Sequence, residues 1–117
     1  MYTEAVKIVN LTPHAVHFRV SYDADPWFTV PASGQVARCS EERVEAGAVY
    51  HGSLTLPVNQ VRLGQVTGLP DPEPGTIYIV SRLVAEACRD RDDLFIVDDL
   101  VRDPEGRVVG CRALARV

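Results

Sequence analysis

The stretch whose reading decides the fold is Thr76-Ile77-Tyr78-Ile79-Val80-Ser81-Arg82-Leu83-Val84-Ala85-Glu86-Ala87-Cys88. Five residues rich in β-branched and aromatic side chains, with no charge among them, predict a buried strand over 76–80. Ser81 then offers a hydroxyl that can accept from the free N–H groups of a following first turn. A short helix over 82–88 is expected, with Leu83, Val84, Ala87 and Cys88 on one face. Upstream, Gly64-Gln65-Val66-Thr67-Gly68-Leu69-Pro70-Asp71-Pro72-Glu73-Pro74-Gly75 carries three glycines and three prolines. That content predicts a long loop over 64–75, stiffened by proline. Downstream come a charged exit over 89–93, a short strand over 94–97, a tight turn at Asp103-Pro104-Glu105-Gly106 and a final strand over 107–116. Val101 and Val108 flank that turn on the two arms of a hairpin.

Toward the N-terminus, a strand over 5–10 is broken by Leu11-Thr12-Pro13, because proline fixes φ and cannot donate to a ladder. The run 14–22 alternates, with Val16, Phe18 and Val20 on one side and His17, Arg19 and Ser21 on the other. Together these two runs read as a first hairpin. Asp23-Ala24-Asp25-Pro26 is a turn cluster. Strands follow over 27–30 and, after Pro31-Ala32-Ser33-Gly34, over 35–40. The segment 42–49 reads as a strand or a single helical turn, and Val44, Ala46 and Ala48 favour the strand. One or two short strands lie within 54–63, broken by Pro57. The expected class is α+β, mostly β: a small twisted antiparallel or mixed sheet, or a partial barrel, with one short helix after the 76–80 strand. With 117 residues, a single domain over 1–117 is expected.

The formal net charge of −4 argues against non-specific nucleic-acid binding, which needs a basic surface. Lys7 is the only lysine, so the cations are nearly all arginine, as a GC-rich genome would give. Arginine also pairs bidentately with phosphate or carboxylate. Cys39, Cys88 and Cys111 form no Cys-x-x-Cys pair and are odd in number, which predicts reduced thiols in a cytoplasmic setting. The N-terminus shows no secretory pattern, and no apolar run reaches the ~20 residues of a membrane span.

Several short motifs recur together: Asn10-Leu11-Thr12-Pro13-His14, Gly68-Leu69-Pro70, Gly75-Thr76-Ile77-Tyr78-Ile79-Val80-Ser81, Arg91-Asp92-Asp93-Leu94 and Val101-Arg102-Asp103. The set resembles small uncharacterised proteins carried by tailed phages, prophages and bacterial genomes. The likeness covers the expected N-terminal hairpin and most of residues 64–111. It implies a phage or mobile-element setting and brings no assigned activity. Where a proline is expected after Asp93-Leu94, this chain has Ile96-Val97.

The strongest candidate site is the junction at Val80-Ser81-Arg82. A helix start presents unpaired N–H groups to an anion, and Arg82 in that first turn suits one nearby. Exposed arginine beside an ordinary cap is the plain alternative. Arg91 and Arg102 would join Ser81 and Arg82 if their turns converge; mixed with Asp90, Asp92, Asp93, Asp98 and Asp99, they equally suit a solvated ionic network. Thr76 and Tyr78, on the strand leading into the junction, belong to the same candidate ligand set. Asn10, Thr12 and His14 form a polar cluster at a bend, either bonding the turn's backbone or presenting His14 to a ligand.

No catalytic residue and no metal site is assigned. His14 and His17 face opposite sides of a strand, His51 is isolated, and Ser33 lacks the Gly-x-Ser-x-Gly elbow. Asp98-Asp99 and Asp103 could hold magnesium, but adjacent carboxylates on a strand point opposite ways, and a solvated acidic loop is the favoured reading. Trp27, Phe28, Tyr50 and Tyr78 read as core aromatics. No cofactor is expected.

Two functional classes stand close together, the first slightly ahead because the Ser81-Arg82 junction and the 64–75 loop are where rare features meet. One is a non-catalytic binder of a phosphate-bearing small molecule, such as a nucleotide-derived signal that a phage protein would sequester. The other is a protein–protein interaction module, an inhibitor or structural accessory, using a strand edge or the proline loop. A hydrolase or transferase ranks third. The final strand, without proline and on a surface with almost no lysine, is expected to form an edge that a two-fold dimer would close; the alternative is a monomer in which that strand is central in the sheet.

Overall fold

The computed structural model describes residues 5–19 and 28–117. The chain is mostly β with one short helix, as expected. Its strands are β1 (Lys7–Asn10), β2 (Val16–Phe18), β3 (Phe28–Val30), β4 (Arg38–His51), β5 (Leu54–Thr67), β6 (Thr76–Ile79), β7 (Leu94–Arg102) and β8 (Val108–Ala115), and the helix α1 spans Arg82–Ala87. Six strands form one mixed sheet in the order β1-β6-β7-β8-β2-β3. A parallel bridge from Asn10 to Ala32 brings the two ends together, so the sheet is a nearly closed barrel. The other two strands, β4 and β5, pair only with each other.

All residues of β6 are buried, and successive side chains serve opposite faces. Ile79 packs inside the barrel with Phe18, Val30 and Cys111. Tyr78 and Val80 point outward into a second core with Leu11, Val84, Ala85 and Leu94. That outer core exists because α1 lies over it. Ser81 caps α1 as expected, accepting from Val84 N at 3.3 Å. The buried face of α1 is Val84 and Ala85, one position off the expected stripe, and Ala87 is exposed.

Several expectations are corrected. Runs 5–10 and 14–22 do not pair as a hairpin: β1 runs parallel to β6, and β2 pairs with β3 and β8. The bend between them is held instead by Asn10, whose four hydrogen-bonding positions are all used internally. Its Nδ2 donates to His14 O at 2.8 Å and Val30 O at 3.3 Å, and its Oδ1 accepts from Thr12 N at 2.9 Å and Thr12 Oγ1 at 2.6 Å. Ser33 N donates to Asn10 O at 3.0 Å. One buried asparagine thus joins the outer strands β1 and β3. The expected turn 23–26, together with Val20, Ser21 and Trp27, lies outside the described residues.

The final strand is not an edge, because β8 lies between β7 and β2. The 94–97 strand extends to Arg102. The expected loop 64–75 is shorter, since Gly64–Thr67 continue β5. Pro57 does not break its strand: β4 and β5 are each 14 residues long, paired from Arg38↔Thr67 to His51↔Leu54. A two-stranded ribbon has two open edges, so a proline that turns its nitrogen outward removes no ladder bond. Opposite Val58 the register shifts by one residue around Gly47, whose φ of 107° suits a bulge that a side chain would strain. At the tip, Gly52-Ser53 makes a two-residue turn with Gly52 at φ 59°.

The base of this ribbon is anchored. Cys39 and Val66 pack on the outer core beside Ala37, and Gln35 Nε2 donates to Gly68 O at 2.8 Å. Beyond the base it leaves the barrel as an arm. A compact chain of this length has a radius of gyration of about 13 Å; here it is 18.2 Å, with extents of 58 × 39 × 26 Å.

Asn10→Ala should destabilise the protein by about 2–4 kcal/mol, because Thr12 N and the carbonyls of His14 and Val30 lose buried partners. Urea unfolding followed by far-UV circular dichroism measures this. A loss below about 0.5 kcal/mol would show that the barrel closes without Asn10.

Candidate functional site

The structure holds the arginines of the expected anion site apart. Tyr78 pairs with Leu94 across the parallel β6–β7 ladder. Arg91 therefore lies beside the Thr76 end of β6, whereas Ser81 leaves the opposite end. Arg102 lies farther still along β7 and donates from Nη1 to Gly106 O at 2.8 Å in the β7–β8 turn. Arg82 is exposed and pairs with Glu86 one turn on, at 3.3 Å. The α1 helix is six residues long, so its start carries a weak dipole. Ser81 is occupied as a cap. At the Asn10 bend, Asn10 Nδ2 donates to the carbonyl of His14, and His14 itself is exposed.

Arg91 has a different task. It grips Asp93 with two parallel bonds, Nε to Oδ1 and Nη2 to Oδ2, both at 2.8 Å, and also donates from Nη2 to Pro70 O at 3.1 Å. Asp93 is 5% exposed. The Tyr78 hydroxyl donates to Asp71 O at 3.3 Å, and Thr76 N to Glu73 O at 3.2 Å. These four residues thus clamp the proline loop onto the sheet. Burial raises the Tyr78 pKa, with the Glu73 and Asp93 charges adding to it. The Arg91 hydrogen bonds hold the Asp93 carboxyl below the ordinary aspartate range, against its burial. The depression beside the loop is about 400 Å³ and is lined by Pro72, Glu73, Pro74, Gly75, Thr76, Asp92 and Asp93. Its charged groups are all acidic, which disfavours phosphate.

Asp98 and Asp99 gather no third ligand: Asp99 lies at φ 53°, and Arg112 Nη1 stands 3.7 Å from its Oδ1. Among the described residues, no cluster of three or more His, Cys, Asp or Glu is arranged to hold a metal ion. The three cysteines are free thiols, and burial raises the pKa of Cys88 and Cys111. No helix among the described residues is long and apolar enough to cross a membrane.

The unusual surface is the arm. The pairs Val44↔Gln60, Val49↔Leu56 and His51↔Leu54, with Val58 between them, share one face. On it Val44, Val49, Leu54, Leu56 and Val58 are each 37–53% exposed. The opposite face, with Glu45, Asn59, Arg43, Thr55 and Pro57, is mixed, although Tyr50, Val61 and Leu63 are exposed there too. Tyr50 at 75% and Phe28 at 61% exposed correct the expectation that these aromatics are core. Tyr78 is core, and Trp27 lies outside the described residues. A second apolar surface lies on the barrel: a depression of about 180 Å³ between the start of β2 and the β7–β8 hairpin, lined by Val16, Val97, Leu100, Val108 and Val109 among others.

The arm was legible as two strand-like runs joined by His51-Gly52-Ser53-Leu54, a dipeptide turn that favours a two-residue hairpin. Reading Pro57 as a breaker concealed it. No family model, curated protein or solved structure matches this chain.

Because the Asp93 pKa is lower in the folded protein than in the unfolded chain, the pair's contribution is present above the unfolded value of about 3.9. It is lost as pH falls through the folded value. Asp93→Asn, which leaves Arg91 buried without its anion, should cost about 3 kcal/mol at pH 7. The gap from the unmodified protein should narrow as pH drops below about 4. Denaturant midpoints across pH 2.5–7 measure it; a constant gap would mean that Asp93 is not ionised by Arg91.

Proposed function

We propose that this protein is a protein–protein interaction module whose β4–β5 arm is the docking element. The carrying observation is the arm's apolar face, with five large aliphatic side chains half exposed on a ribbon that projects from the barrel. A two-stranded hairpin is marginally stable alone in water, and an apolar patch of this kind on a soluble protein marks a contact surface. The edges of the arm are guarded: Pro57 interrupts one, and Glu41, Glu42, Arg43 and Glu45 crowd the other. Association through the face rather than the edges follows.

A phosphate-bearing ligand has weaker support. Ser81, Arg82 and Arg102 line neither of the two depressions above nor a third of about 150 Å³; that third one is lined by Arg89, Arg91 and Arg116 but also by Asp90 and Asp92, and Arg91 is engaged by Asp93 and Pro70. The phage-type resemblance of the motifs suits a small accessory or inhibitory protein, which works by contact.

Residues 58 and 59 face opposite sides of the arm, so a photoreactive residue placed at each in turn tests the reading in cells. Position 58 should give one discrete polypeptide adduct, reduced at least about tenfold by Val49→Glu, and position 59 little. No adduct, or the same smear from both positions, would sink the docking role.

A further inference from the structure

We infer that the occupant of the arm's face is a second copy of this chain, each arm lying on the apolar barrel depression of the other. The inference rests on the docking role of the arm and adds the partner and its receiving surface. Area chooses the partner. The apolar part of the ribbon runs about eight residues at ~3.3 Å each and is ~10 Å wide, so covering it removes on the order of 300 Å² from the arm. With an equal area on the surface it meets, a single contact buries roughly 600 Å² in total, within the range of incidental contacts. Two arm faces laid on each other bury no more. A reciprocal exchange, in which each copy gives its arm and receives the other's, buries roughly 1,200 Å², the lower bound of a specific interface. Only a partner bearing both an arm and a receiving surface doubles the contact in this way, and a second copy bears both.

The receiving surface fits that occupant. Val97, Leu100, Val108 and Val109 are 37–50% exposed around the depression. An apolar cavity of ~150 Å³ holds a benzene-sized group; the depression's 180 Å³ therefore seats one leucine side chain such as Leu54 or Leu56. Among the described residues β2 pairs with β8 only at Phe18↔Cys111, so the two strands part beside this depression. A two-fold axis makes both contacts identical and closes the assembly at two chains.

Light scattering at ~50 µM should give twice the single-chain mass of 12.9 kDa. Leu56→Glu on the arm and, separately, Leu100→Glu or Val109→Glu on the barrel should each raise the dissociation constant about a hundredfold or more, since every substitution acts twice in the dimer. At dilutions where all are single chains, unfolding midpoints should stay close to that of the unmodified protein. Mixing the arm variant with a barrel variant leaves one intact contact of roughly 600 Å², so association should exceed that of either variant alone and stay far weaker than that of the unmodified protein. For any variant that fails to fold, the site of cross-linking decides: the adduct from position 58 should map to residues 97–111 of the second copy. A single-chain mass for the unmodified protein overturns the inference, as do barrel variants that fold and remain dimeric, or an adduct mapping elsewhere. If position 58 instead captures a different polypeptide, the second-copy inference fails and the docking role stands; if it captures nothing, both fail.

Discussion

A parallel strand with hydrophobic side chains on both faces has to be covered twice, and β6 imposes that requirement on everything around it. Its inward residues are answered by the curled sheet, which places Phe18, Val30 and Cys111 against Ile79. Its outward residues are answered by α1 and by the base of the arm, which place Val84, Ala85 and Ala37 against Tyr78 and Val80. The Arg91–Asp93 pair and the Tyr78 hydroxyl then hold the proline loop down at the β6 end that α1 does not reach. The helix, the loop clamp and the arm's anchorage are three responses to one buried strand.

The polar groups that drew attention as binding residues are mostly spent on this architecture. Asn10 closes the barrel, Arg91 neutralises a buried carboxylate and reaches a loop carbonyl, and Ser81 caps. In a barrel this small, a buried polar side chain with all its partners satisfied has nothing left to offer a ligand. Among the described residues, exposed apolar side chains gather on the arm and beside the β7–β8 hairpin.

How far the sequence could be read follows the range of the forces involved. The Thr76–Val80 strand, the Ser81 cap, the short helix and the Asp103–Gly106 turn were legible because each is set by neighbours in the chain. Strand partners were not. Lys7 pairs with Thr76 across nearly the whole first half of the chain, and nothing local distinguishes that parallel pairing from a hairpin with Val16. Pro57 misled for a related reason: its effect depends on whether its nitrogen faces a partner strand or open water, which only the ribbon's isolation decides. Among the site residues, type and position were legible, and convergence was not. The distances among Arg82, Arg91 and Arg102 are set by the β6–β7 register.

The arm also has a bearing on how such a protein changes over generations. Its pairings are almost entirely between its own two strands, and beyond its base it contributes to neither core. Mutations along Val44–Val61 therefore change an exposed surface while leaving the two cores nearly untouched. Even the length of the ribbon can drift two residues at a time. A lineage could explore that segment at little cost to the barrel's folding, within whatever fit the surface covering the arm demands.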